Sequence, residues 1–292
     1  MALLNNAAFW MLVTGFVSVV ITVIAKDIGN IFHPFQIMFF YCACGAIALI
    51  PAIGVHFGCN KGTIPGKTIR WRLHLMRAPL EFIGFALTFY SLIKLPLPMA
   101  TAITYMVPIF ASIVAVFLVK ETITKRIAIG LAAGLVGIFI IHNPLSETIN
   151  QAQTLGIAAG LGAALAFSFC GSFIKLSTET TPPLLIAIIM LTLTAIVAAP
   201  FAASVWVAPT KDQLGALIML GICTATVQYA VARALTLGMI TKLVPLMYLN
   251  LIWAGLFAYF LFDEVISEKT IIGSLVIFGA VLFLSMPGKK KA

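Results

Sequence analysis

Charge is scarce in this chain. Of its 292 residues only 9% are charged, and just nine are acidic. A water-soluble domain carries roughly 25% charged residues, so a soluble globular fold is excluded. Groups that do covalent or metal chemistry are also few. The four histidines (His33, His56, His74 and His142) show no H-E-x-x-H or comparable spacing. The five cysteines (Cys42, Cys44, Cys59, Cys170 and Cys223) are odd in number and irregularly spaced, so they form neither a disulfide framework nor a zinc pattern. They read as small apolar packing residues. No Gly-rich phosphate loop is present, so no nucleotide-driven motor is encoded, and no cofactor or metal is expected. The first apolar run lacks a basic segment ahead of it and is followed by many more, so a cleaved signal peptide is not expected.

What fills the chain is hydrocarbon. Hydrophobic residues make up 62% of it, in runs of about 20 that match a bilayer core of roughly 30 Å. Ten spans are placed near 8–28, 33–56, 73–93, 97–119, 126–142, 154–175, 182–206, 213–236, 243–262 and 270–286. His33-Pro34, Pro96, Pro98 and Pro182-Pro183 punctuate the joints. The joints are short, so consecutive spans form antiparallel hairpins. The expected class is an all-α integral membrane protein.

The two halves echo each other. FASIVAVFLVKETITKRIAIGLAAGLVGIFII ends near Ile141, and LIWAGLFAYFLFDEVISEKTIIGSLVIFGAVLFL ends near Leu284. Placing Glu121 on Glu264 also places Leu118 on Leu261, Gly130 on Gly273 and Tyr105 on Tyr248. Residues 1–148 and 149–292 are therefore expected to be two five-helix repeats. An odd number of spans per repeat inserts the second copy upside down, and inverted repeats enclose a site near the midplane between them.

The net charge of +9 does not indicate a nucleic-acid partner, because the basic residues sit in short loops between spans. With the N-terminus inside, only Lys26, Lys94, Lys211 and Lys269 of the eighteen Lys and Arg fall outside. Both termini are therefore expected in the cytoplasm of a bacterial inner membrane. The Lys289-Lys290-Lys291 tail suits anionic lipid.

Two longer segments carry a resemblance. They are RAPLEFIGFALTFYSLIKLPLPMATAITYMVPIFASIVAVFLVKE, with Arg77, Tyr90, Leu95, Ala100, Pro108 and Glu121, and ARALTLGMITKLVPLMYLNLIWAGLFAYFLFDE, with Arg233, Pro245, Tyr248 and Glu264. Both are similar to the drug/metabolite transporter superfamily in its ten-helix EamA branch. The resemblance implies a secondary carrier of a small organic solute, driven by exchange with a counter-substrate or by a coupling ion. Relatives of that kind carry amino acids, sugars, nucleotides, vitamins or S-adenosylmethionine. Glu81 and Lys242 depart from the branch pattern.

Ionisable groups inside a span cost several kcal/mol against lipid, which makes each a functional candidate. Arg77 and Glu81 are i, i+4 on one helix face and can pair. Arg77 can instead snorkel to the interface. Glu81 lies about 12 Å along the axis from the span start, taking 1.5 Å per residue, and is too short to snorkel. It suits a gate, a counter-charge for a cationic solute, or a proton-coupling carboxyl. Arg233 with Tyr229 and Thr226 forms a stripe that can grip a carboxylate or phosphate, or serves as a snorkelling helix end.

Tyr90, Tyr105, Tyr248 and Trp253 lie in spans that line the central cavity in the resembled branch. The repeat relates Tyr105 to Tyr248, whose rings can hold a planar or cationic solute. Asn250 falls on another face and ranks below them. Pro79, Pro108 and Pro245, with Arg77, are hinge or gate candidates. Glu121 and Glu264 read as helix-end caps.

The reading is a secondary transporter that moves an amino-acid-like, zwitterionic or amphipathic solute by alternating access. It is a monomer or homodimer in contact with membrane lipid. An intramembrane enzyme and a small-solute channel are the alternatives.

Overall fold

A computed structural model describes residues 6–29, 31–60, 69–95, 97–142, 151–262 and 268–285. Glu264, the Lys289-Lys290-Lys291 tail and the expected repeat boundary at 148/149 lie outside them. Among the described residues the chain is helical throughout: α1 Ala7–Ile28, α2 Pro34–Asn60, α3 Trp71–Lys94, α4 Leu97–Thr104, α5 Val107–Leu118, α6 Lys125–His142, α7 Gln151–Ser177, α8 Pro183–Ser204, α9 Lys211–Leu237, α10 Ile240–Leu243, a 3-10 segment Val244–Tyr248, α11 Leu249–Phe262 and α12 Glu268–Ser285. They group into ten spans. Six stretches are long and apolar enough to cross a membrane by themselves, and Ala102–Leu118 and Ile271–Phe283 are shorter apolar ones. Within the hydrocarbon only helices satisfy every backbone group locally.

Local chemistry sets the ends. Asn6 caps α1 by accepting from the Ala8 amide (2.9 Å). Thr210 and Gln213 form a reciprocal capping box at the start of α9. Proline opens α2 and α8.

Two spans expected as single helices are broken. Span 97–119 is split between α4 and α5 at Tyr105–Met106. Pro108 has no amide to offer the Thr104 carbonyl, so the ladder is interrupted one turn before it. Ser168 of α7 donates to the Val107 carbonyl beside the break (3.3 Å). Span 243–262 is split by the 3-10 segment that contains Pro245. Pro79 instead sits on the exposed face of an uninterrupted α3.

Most of the larger packing contacts come in matched pairs. α3 lies along α7 as α1 lies along α9, and α5 meets α7 as α1 meets α11. α2 contacts α9 as α3 contacts α8. α6 with α12 and α2 with α8 are each other's counterparts. Exchanging the first five spans with the last five maps this set onto itself.

Two crossings need glycine. A methyl on Gly137 of α6 would stand 2.8 Å from the Gly273 carbonyl oxygen of α12 and 2.7 Å from Ile277. One on Gly221 of α9 would stand 2.4 Å from the Cys44 Cβ and 2.8 Å from the Gly45 amide nitrogen of α2. Small residues let membrane helices approach backbone to backbone. Gly137→Leu and Gly221→Leu are each expected to cost at least about 1–3 kcal/mol through overpacking. The readout is a fall in monodisperse yield and in unfolding midpoint by several degrees. Midpoints equal to that of the parent protein would contradict these contacts.

Candidate functional site

A cavity of about 420 Å³ lies at the middle of the bundle, within the roughly 300–1,000 Å³ of small-molecule sites. It takes walls from α1 (Met11, Thr14, Ser18), α2 (Tyr41), α3 (Arg77, Glu81), the α4–α5 break (Thr104, Tyr105, Pro108), α7 (Phe167, Cys170, Gly171), α9 (Val227, Gln228, Val231) and the α10–α11 region (Val244, Met247, Asn250). Both halves therefore contribute, and both broken spans open onto it.

The walls are largely apolar, with one ionic array. Arg77 is 3% exposed. Its Nη2 lies 3.3 Å from Glu81 Oε2, one turn along α3. Gln228 of α9 bridges the pair. Its carbonyl oxygen accepts from Arg77 Nη2 (3.0 Å), and its amide nitrogen donates to Glu81 Oε1 (2.9 Å). An amide is suited to this position, because it offers an acceptor to the cation and a donor to the anion. The Cys170 thiol donates to the Arg77 carbonyl (3.7 Å) and ties α7 to the same turn. Arg77 therefore does not snorkel. It is desolvated, and its charge is met inside the protein. Arg77 Nε and Glu81 Oε2 make no hydrogen bond among the described residues, so the array keeps polar capacity beyond its internal bonds.

Toward the end where α9 closes, the cavity meets a buried apolar cluster that includes Met11, Ala115, Ile174, Leu235, Ile240 and Val244. Two ions fasten that end. The chain leaves α5 through Lys120 in the left-handed region (φ 59°), which brings the Glu121 amide back to the Ala115 carbonyl (3.2 Å). The Glu121 carboxylate, 7% exposed, then accepts from the Ile240 and Thr241 amides at the start of α10, both at 2.8 Å. Lys175 of α7 donates to the Leu235 and Gly238 carbonyls at the end of α9, both at 2.6 Å. A carboxylate on first-turn amides and an ammonium on last-turn carbonyls each match the helix dipole they touch. Glu121 is a cap, but of a helix in the opposite half.

The residues singled out from sequence fall in several places. Glu81, Arg77, Tyr105 and Pro108 line the cavity. Tyr248 is 1% exposed and lies behind it, its ring 6.4 Å from that of Tyr105 and pressed toward Gly134. Pro245 is buried in the same 3-10 segment. Trp253 stacks edge-on against Phe16 of α1 (5.6 Å). Tyr90 is exposed, with Lys94 over its ring at 5.8 Å. Tyr229 and Arg233 face a separate groove on the other side of α9. Gln228, Tyr41, Thr14 and Ser18 line the cavity without having been singled out, and Asn250, ranked below the tyrosines, lines it too. An uncharged amide inside an apolar helix, as at Gln228, is the one signal that could have marked this wall.

A ten-span helical bundle around a solute-sized cavity shared by two like-paired halves defines a class, the membrane transporters. The EamA-like transporter family model matches twice, over residues 5–142 and 154–286. The chain belongs to the EamA-like transporter family and is an integral membrane protein, not an enzyme. It is 30% identical over 281 residues to an S-adenosylmethionine uptake transporter of Rickettsia bellii, covering 96% of this chain and 94% of that one. It is 27% identical over 285 residues to the protein of the same description in Rickettsia prowazekii (98% and 94%). A riboflavin transporter of Brucella anthropi is 28% identical over 230 residues (77% and 80%). A solved crystal structure matches with a TM-score of 0.81 at 17% identity, covering 96% of each chain, a likeness of fold alone.

Proposed function

We propose that the protein is a secondary carrier for S-adenosylmethionine or a solute of the same chemistry, an adenosylated amino acid with both charges. The Arg77–Gln228–Glu81 array in the cavity wall carries this reading. Arg77 suits the solute carboxylate, and Glu81 its ammonium or sulfonium. Tyr41, Tyr105 and Phe167 offer faces for a purine ring, and Asn250, Thr14 and Ser18 offer hydrogen bonds to a ribose. The match to S-adenosylmethionine uptake transporters over 96–98% of the chain supports the same class.

In this proposal residues 1–148 and 149–292 are inverted repeats that rock about the cavity, with both termini in the cytoplasm of a bacterial inner membrane. The Glu121 and Lys175 contacts then close the cytoplasmic side. The broken spans supply the hinges at Pro108 and Pro245.

The test is counterflow in proteoliposomes preloaded with unlabelled S-adenosylmethionine. Labelled S-adenosylmethionine is expected to accumulate transiently and saturably. Unlabelled S-adenosylhomocysteine should compete, whereas methionine alone and riboflavin should not. Flux that rises linearly with concentration would indicate a channel. No flux of S-adenosylmethionine above empty liposomes would refute the assignment.

A further inference from the structure

α9 presents two faces. Val227, Gln228, Val231 and Leu235 look into the central cavity. The opposite stripe runs through Ile218, Met219 and Ile222, which are 44–52% exposed and apolar, as a lipid-facing surface requires. That stripe continues through Thr226 and Tyr229 to Arg233. Here the surface sinks into a groove of about 620 Å³ between α1, α2 and the start of α8. Trp10, Leu49, Ala52 and Pro183 form its apolar sides. Tyr229 meets the Trp10 ring edge-on at 5.4 Å, an aromatic pair of the kind that marks the headgroup level.

Arg233 is half-buried in this groove and has no hydrogen-bond or ion-pair partner among the described residues. Three other basic residues at the same end of the bundle are engaged. Arg70 pairs with Glu179 (2.8 Å), Lys175 holds helix-end carbonyls, and Arg126 donates to the Phe283 carbonyl. A guanidinium held part-way out of water with no counter-charge calls for an anion, and its planar fork matches a phosphate. The groove continues the exposed apolar stripe of α9, at an end of the bundle that also carries Arg70, Arg72 and Lys175.

We infer that this groove is a binding site for one anionic phospholipid. The headgroup phosphate sits on Arg233 beside Tyr229, and an acyl chain lies along Leu49, Ala52 and the Ile222 stripe. The site is separate from the solute cavity and does not depend on which solute is carried.

Native mass spectrometry of the detergent-purified protein, titrated with phosphatidylglycerol or phosphatidylethanolamine of the same chains, tests this. The parent protein is expected to retain one phosphatidylglycerol in preference to phosphatidylethanolamine. Arg233→Gln should weaken that first binding event about fivefold, the scale of one basic contact to an anionic lipid. Ala52→Trp, which fills the groove and leaves the charge in place, should weaken it too. Arg72→Gln removes an exposed charge at the same end of the bundle and should leave it unchanged. Equal retention of the two lipids would overturn the proposal, as would undiminished binding in Ala52→Trp. Equal losses in Arg72→Gln and Arg233→Gln would reduce it to diffuse surface charge and overturn it as well.

Discussion

Arg77→Leu is expected to abolish uptake and to lower the unfolding midpoint by roughly 10 °C, because breaking a buried ion pair leaves the partner charge uncompensated at about 3–5 kcal/mol. Arg77 is almost wholly enclosed and is held by Glu81 and Gln228. Its removal leaves the Glu81 carboxylate, 14% exposed, with only the Gln228 amide. The double replacement Arg77→Leu with Glu81→Leu removes the orphaned charge and is expected to recover most of the lost midpoint. It should recover none of the transport, since the solute then meets an uncharged wall. Stability and function are thus expected to separate within one pair of residues. Retained uptake in the single variant, or a double variant as unstable as the single, would show that the array is not what holds this wall or the solute.

Glu121→Gln should loosen the proposed cytoplasmic closure without touching the cavity. Hydrogen bonds to a charged acceptor contribute about 1.5–3 kcal/mol each, and Glu121 accepts two from the first amides of α10. A glutamine offers one neutral oxygen, so about 2 kcal/mol is lost, roughly a 30-fold shift of the equilibrium toward the state open on that side. Ala111 lines the cavity. A cysteine introduced there, in an otherwise cysteine-free background, reports the opening through its rate of labelling by an impermeant maleimide in inside-out vesicles. That rate is expected to rise at least tenfold in Glu121→Gln. Lys175→Met should act in the same direction by releasing the end of α9. Unchanged labelling in both variants would remove these contacts from any role in closure.

The spans were legible from sequence because run length against bilayer thickness is a local property. The breaks in the fourth and ninth spans were signalled by Pro108 and Pro245 but read as bends in continuous helices. Asn250 does lie on another face from Tyr248, as expected, but it is the Asn250 face that meets the cavity, while Tyr248 is buried behind it. Gln228 was missed for a different reason. The charged stripe through Tyr229 and Arg233 drew attention to the face of α9 one residue away, and nothing local tells which face meets the cavity. The bridge from Arg77 across to Gln228 joins positions far apart in the chain, and only the folded packing of α3, α7 and α9 brings them together.

The fastening at the end of α9 and the start of α10 has an electrical consequence. One anion and one cation hold it, Glu121 and Lys175, and their charges cancel. The Arg77–Glu81 pair in the wall is likewise neutral. Moving either device as a unit carries no net charge through the transmembrane field, where each elementary charge would otherwise feel about 2.3 kcal/mol per 100 mV. In the proposed alternating-access cycle the empty protein should therefore reorient without sensing voltage when these pairs move together, and any current that accompanies turnover belongs to the cargo or to an ion travelling with it.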